Sequence, residues 1–207
     1  MDHIVDENGC AITIFKGVRG TMNRVDVQTI IEECKNCTKY VETGSYLGLS
    51  ALIAASYSNA MVYAHDIWET DWTLLKGGPP PKVDDYFLRF YEMVKNNNLC
   101  SRIIPIRGSS HYTIAIHDDE TIDLAFVDGD HSYKGCYTDL KMVYPKMKKN
   151  SVILVHDCYS RESETTQAVI QFLEDNSIHE FQQILGSCGM IKIVINKCPN
   201  SIQVENE

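Results

Sequence analysis

Two polar clusters in this chain carry residue types suited to acid–base or metal chemistry. One is Asp128-Gly-Asp130-His131-Ser-Tyr133, and the other is His156-Asp157-Cys158. Ionised carboxylates are oxygen ligands of the kind magnesium takes. A thiol favours softer metals, so Cys158 suits such a cation poorly. A histidine near its free pKa can take a hydroxyl proton at neutral pH, and both His131 and His156 are available for that. A third stretch runs from Tyr40 to Ser50 and reads Tyr-Val-Glu-Thr-Gly-Ser-Tyr-Leu-Gly-Leu-Ser. Its short apolar run ends in Glu42. Gly44 and Gly48 follow, and a helix-like apolar run, Leu49 to Tyr57, starts at once. Strand, glycine turn and helix N-terminus make one unit that can hold a polar nucleoside.

These clusters need elements to position them. Asn23 or Asp26 caps a helix running to about Cys37, with Val27, Ile30, Ile31 and Cys34 on one face. Apolar runs at 39–43, 61–65, 103–106, 122–127 and 152–155 read as buried strands. Helical spacing follows each of them, over 48–56, from Asp84 or Asp85 to Asn96, 112–117, 134–144 and 163–176. Strands near 181–185 and 190–195 flank Gly186-Ser-Cys-Gly189, a short link that predicts a hairpin and an antiparallel last strand. This alternation predicts a Rossmann-like α/β fold: a mostly parallel seven-stranded sheet with helices on both faces. Right-handed crossovers put the strand C-termini on one rim, where ligands bind in such sheets. Glu42, Asp66, the run Gly108 to Ser110, Asp128 to His131 and His156-Asp157 all fall there. The expected organisation is one domain over 1–207, with 1–38 as an N-terminal loop and helix cap and 199–207 as a loose tail. Gly77-Gly-Pro-Pro-Pro81 predicts a rigid loop whose length suits a lid or wall of the site.

The chain has 207 residues, 44% hydrophobic and 23% charged, which is a globular composition with enough length for a full core. A formal net charge of -9 would repel a nucleic-acid backbone, so no nucleic-acid partner is expected. The compact basic cluster Lys146, Lys148 and Lys149 is expected as a solvated loop. No apolar run is long enough to cross a bilayer. Eight cysteines without a signal-like N-terminus predict free thiols in a reducing, cytoplasmic setting. Cys34-Lys-Asn-Cys37 has no second ligand pair and reads as packed or surface thiols rather than a zinc site.

The stretch Val41 to Ser50 resembles the first motif of the class I S-adenosylmethionine-dependent methyltransferases. The G-x-G-x-x-G spacing of a dinucleotide fingerprint is absent, which disfavours a nicotinamide-dependent oxidoreductase. Asp-Gly-Asp-His-Ser-Tyr followed by His-Asp resembles the small-substrate O-methyltransferases, the catechol-type enzymes and the sugar or antibiotic-tailoring ones. The resemblance covers roughly residues 17 to 195. It implies methyl transfer from S-adenosylmethionine to a hydroxyl of a small molecule, assisted by magnesium or manganese. By the likeness, Glu42 and Gly44 hold the amino-acid end and sulfonium region of the cofactor, Ser45 lies near its carboxylate side, Gly48 permits close approach at the helix start, and Asp66 takes the ribose hydroxyls. Gly108 and Ser109, with Ser110, match the region beside the adenine, and Asp128 borders the cofactor as well. Asp128 and Asp157 match two metal-binding acids, and His131 matches the catalytic lysine of the catechol-type enzymes. Arg19 and Met22 lie in a segment resembling the loop that closes over the methyl donor.

One departure from the pattern is Cys158, where a third oxygen ligand is usual. The cation is then held by two acids, by Asp130 as substitute, or not at all. Trp68 reads equally as a wall of the adenosine pocket and as a partly buried loop aromatic. Trp72, Phe87 and Tyr91 are candidates for a flat acceptor site, and helical packing explains Phe87 and Tyr91 equally well. An N-methyltransferase on the same scaffold and a non-enzymatic cofactor-binding or interaction protein are the other readings. A magnesium requirement with a hydroxyl substrate would separate the first from both. A homodimer is the assembly expected.

Overall fold

The strands alternate between two apolar neighbourhoods, and that alternation builds the molecule. A computed structural model of the chain describes residues 1–7, 9–69 and 85–197. The proline loop near Pro79–Pro81, Trp72 and the tail from Pro199 lie outside these residues. Seven strands form the main sheet: β4 (Lys39–Thr43), β5 (Met61–Asp66), β6 (Ile103–Arg107), β7 (Ile122–Val127), β8 (Met147–Val155), β9 (Phe181–Ile184) and β10 (Met190–Ile195), preceded by β1 (Asp2–Val5), β2 (Ala11–Phe15) and β3 (Val18–Gly20). Their order is β6-β5-β4-β7-β8-β10-β9. β4 to β8 pair in parallel, and β10 pairs antiparallel with both β8 and β9. This is the mostly parallel sheet with an antiparallel last strand that the alternation predicts.

Successive side chains of a strand point to opposite faces. Tyr40, Val62, Leu124, Phe126 and Leu154 pack on one face with α1 (Arg24–Cys34), α2 (Leu49–Tyr57) and α3 (Asp85–Asn96). Val41, Ala125, Val127, Ile153 and Val155 pack on the other with α5 (Tyr133–Val143) and α6 (Glu164–Asp175). The short α4 (Ser110–Thr113) leads into a 3₁₀ turn that adds Ile114 to this second core. Each fully buried Leu, Ile or Phe stabilises the fold by roughly 1.5–3 kcal/mol. α2 is apolar all round, with Ala51, Leu52, Ile53 and Ala54 fully buried. It is sandwiched between the sheet and α1, as a helix without a polar face must be.

Two stretches differ from expectation. Residues 2–20 form an antiparallel three-stranded sheet, β1-β2-β3, where the sequence shows only weak alternation and a loop. The strands are short and one face of β1 is exposed, so their pattern is faint. Lys148 and Lys149, expected in a solvated loop, lie inside β8, which begins at Met147. The reason is charge pairing: Lys148 Nζ lies 2.6 Å from Asp123 Oδ1, and Lys146 Nζ 2.5 Å from Asp119 Oδ1. Both Asn23 and Asp26 cap α1. The Asn23 side chain accepts from the backbone of Val25 and Asp26, and the Asp26 side chain accepts from Asn23 N–H.

Candidate active site

The C-terminal ends of β4, β5, β6, β7 and β8 open on one cavity of about 900 Å³. Its floor is the turn after β4. Gly44 has φ +83°, and a Cβ there would stand 2.0 Å from the carbonyl oxygen of Asp128. Only glycine lets this turn pass beneath the β7 loop. Beside it the Ser45 hydroxyl is buried and has no hydrogen-bond partner among the described residues. Glu42 is buried under the turn, with Oε2 accepting from Tyr40 Oη at 3.0 Å and Oε1 without a hydrogen-bond partner among the described residues. Burial pushes the Glu42 carboxyl up to about 7, against the pull of the Ser45, Ser50 and Tyr40 hydroxyls facing it.

Gly48 has φ +86°. A Cβ there would lie 2.2 Å from Met93 Cε and 2.8 Å from Phe90 Cε2. Its missing side chain lets α2 start against α3, not against the cavity. Asp66, at the end of β5, accepts from Tyr46 N–H through Oδ2 at 2.8 Å and from Trp68 N–H through Oδ1 at 2.6 Å. Burial nevertheless holds its carboxyl above the usual range. Trp68 is buried, meets Phe87 edge-on and Phe90 at a tilt, and donates its indole N–H to Tyr46 O. Gly108 and Ser109 line the cavity after β6, and Ser109 O accepts from the amides of Tyr112 and Thr113 to start α4. The β3 segment brings Arg19 and Met22 to the cavity edge. Phe87 packs on Trp68, and Tyr91 is exposed on α3.

Across the rim, the β7 and β8 loops bring Asp128, His131 and Asp157 together. One ligand-competent atom from each lies within 4.8 Å of the others. His131 Nε2 is 3.1 Å from Asp157 Oδ2 and 3.6 Å from Asp128 Oδ1. The Asp128 hydrogen bond raises the His131 pKa against the opposing effect of burial. Asp157 sits in the left-handed region at φ +60°, which aspartate tolerates better than most residues. Its carbonyl accepts from Thr165 Oγ1, and Tyr159 Oη donates to its Oδ1. Cys158, in contrast, is buried with its thiol directed to His156 O, so it presents no ligand to the rim. Asp130 spends Oδ1 on Ser132 N–H at the start of α5.

His156 is buried and lies between carboxylates on both sides. Nδ1 is 3.3 Å from Asp128 Oδ1 and 3.2 Å from Asp157 Oδ1, and Nε2 is 3.7 Å from Asp26 Oδ2. Burial alone would lower its pKa, and the three aspartates reverse this and hold it well above the ordinary histidine range. Of the two histidines proposed as bases, His131 therefore faces the cavity and His156 belongs to the support beneath it. Sequence reasoning missed Asp26, whose one local signal is the capping box. It also missed Tyr159 and the Ser110–Asp139 hydrogen bond of 2.6 Å, which ties α4 to α5 beside the cavity. The thiols of Cys34 and Cys37 are free and buried, and burial pushes that of Cys37 up to about 12.

A family model described as a methyltransferase domain matches residues 41–158, the span from the glycine turn to Cys158. Among solved structures, the O-methyltransferase NovP is similar at 15% identity, with 86% of this chain and 82% of that one covered and a TM-score of 0.68. Cofactor-bound Rv0187 from MTB is similar at 12% identity, over 84% and 81% of the two chains, with a TM-score of 0.64. A methyltransferase from Geobacter sulfurreducens is similar at 15% identity, over 84% and 80%, with a TM-score of 0.63. At such identities the likeness is one of fold. The curated proteins contain no sequence match.

Proposed function

Because the chain belongs to the class I S-adenosylmethionine-dependent methyltransferases, we propose that it methylates a hydroxyl of a small molecule with the help of a divalent cation. The observation that carries this reading is the meeting of Asp128, His131 and Asp157 on the same cavity that the Gly44 turn floors. The residues present fit the cofactor. Glu42 Oε1 and Ser45 Oγ are buried polar atoms without a hydrogen-bond partner among the described residues. Asp66 has a carboxylate at the cavity wall suited to ribose hydroxyls. S-adenosylmethionine supplies an electrophilic methyl group, and the protein's part is to set the acceptor oxygen in line with it.

Asp128 and Asp157 are the residues that would hold a magnesium or manganese ion, which lowers the pKa of a bound hydroxyl and fixes its orientation. Their oxygens are already drawn to one point by two histidines. We assign His131 as the proton acceptor, since it is the imidazole on the cavity side. General-base removal typically costs ~10²–10⁴-fold in rate. Purified protein should be incubated with S-adenosylmethionine, manganese or magnesium, and separate panels of catechols, sugars and amines. We expect a methylated hydroxyl product by mass spectrometry, lost on chelation and reduced by that factor in His131→Ala. A methyl group found on an amine, or undiminished transfer after chelation, overturns the proposal.

A further inference from the structure

We infer that Asp26 is a positioning residue for the Asp128–Asp157 pair and acts on it through His156, an inference that rests on the cation-assisted reading above. Asp26 belongs to the first turn of α1, far from the rim in sequence. A carboxylate in the first turn of a surface helix ordinarily stays hydrated, yet Asp26 is 0% exposed. Burying a charged carboxylate costs several kcal/mol unless it is paired and hydrogen-bonded, by order of magnitude. Its contacts come from three separate elements, two of them amide donors and the third an ion-pair contact beyond hydrogen-bond distance. Asn23 N–H reaches Oδ2 at 2.7 Å, Cys188 N–H from the β9–β10 turn reaches Oδ1 at 3.0 Å, and His156 Nε2 from the end of β8 lies 3.7 Å from Oδ2.

The imidazole of His156 is thereby flanked by carboxylates at both nitrogens, closely at Nδ1 and at 3.7 Å at Nε2. Asp26 faces Nε2, and the two rim acids share Nδ1. The Phe126 ring, with its centroid 5.9 Å away, packs against the imidazole. The ring cannot turn without breaking one of these contacts. Its Nδ1 side in turn holds Asp157 Oδ1, which leaves Asp157 Oδ2 directed to His131 at 3.1 Å. The acid pair is therefore braced from below by a buried chain of carboxylate, imidazole and carboxylates. Partners of this outer kind orient metal-ligating groups, and their loss typically costs about 10–100-fold in metal affinity.

The test measures manganese binding by electron paramagnetic resonance on the full chain: wild type, Asp26→Asn and Asn23→Ala. Asn23→Ala removes the helix cap and the Asn23 Nδ2–Gly186 O hydrogen bond to the β9–β10 turn without touching His156, so it reports the effect of weakening α1 and its tie to that turn. Melting temperatures are recorded for all three. We expect manganese to bind roughly 10–100-fold more weakly to Asp26→Asn, with Asn23→Ala close to wild type. If Asp26→Asn does not fold, Asp26→Gln, which keeps a capping-box side chain without the charge, takes its place. Equal affinity in wild type and the Asp26 variant overturns this inference alone. Equal weakening in the Asp26 and Asn23 variants also overturns it, because the effect is then one of helix stability. No binding by wild type overturns the cation-assisted reading and this inference with it.

Discussion

At the scale of single residues, the two glycines of one motif do different work. Gly44 permits the close passage of the turn under Asp128, whereas Gly48 permits α2 to meet Phe90 and Met93. Both have positive φ, so a side chain costs strain at either, and the collision decides the rest. Gly9 provides the control: its φ is +80° and none of the described residues lies within 4 Å of where its Cβ would stand. Gly9→Ala should cost on the order of 1 kcal/mol. Gly44→Ala adds a backbone clash at 2.0 Å and should cost at least about 1–3 kcal/mol more, or prevent folding. Urea unfolding midpoints compare the two, and equal shifts would refute the close-approach account. The glycines were legible in the sequence as a turn. Which neighbour each one admits was not, because Met93 and Asp128 come from distant segments.

At the scale of elements, Asp123 fastens three strand beginnings. Its Oδ2 accepts from Thr38 N–H, Thr38 Oγ1 and Lys39 N–H at 2.7–2.9 Å, and its Oδ1 from Lys148 Nζ at 2.6 Å. It thus joins the start of β4 to β7 and β8 at the end of the sheet opposite the cavity. Hydrogen bonds to a charged group contribute about 1.5–3 kcal/mol, so Asp123→Asn should destabilise the fold by that order. Burial raises its carboxyl pKa, but Lys148 and the Thr38 and Lys39 donors lower it further, below the usual range. With the folded pKa depressed, its contribution is complete above the unfolded value near 3.9 and is lost as pH falls through the folded one. The wild-type advantage over Asp123→Asn in denaturant melts should therefore hold at pH 7 and shrink below about pH 4. An advantage that persists in acid would contradict the ionic tie. The strands Asp123 joins were legible from apolar runs. The β8 start at Met147 was hidden because its lysines look like loop residues until Asp119 and Asp123 are in place.

At the scale of the whole molecule, acid sensitivity should follow a buried histidine pair. His65 Nε2 lies 2.9 Å from His117 Nε2, and His65 Nδ1 lies 2.8 Å from Thr113 Oγ1. Burial pushes His65 down to about 3, helped by His117, and pushes His117 down to about 4, helped by Lys39 and Lys146. The unfolded chain takes up protons as pH falls through about 6.5, while the folded pair does not until pH nears its own values. The unfolded state then binds more protons, so stability falls with pH across that window. His117→Gln should lose less stability than wild type between pH 7 and pH 5, measured by urea unfolding. A difference of the opposite sign would rule out the neutral pair.

From Arg24 onward the sequence alone determined the alternation of strands and helices and the rim at which polar groups collect. Periods of two and near four residues are local properties, and strand ends in a parallel sheet share one edge whatever their loops contain. Glu42, Asp66, Asp128 and Asp157 could be placed at that edge by counting along the chain. Tertiary structure decided which groups touch. It turned Cys158 away from the rim, put His131 at the cavity and His156 beneath it, and brought Asp26 and the amide of Cys188 to the same buried point. The Asp26 contacts join residues more than a hundred positions apart, and the others depend on which way side chains turn at the strand ends, which no local pattern encodes.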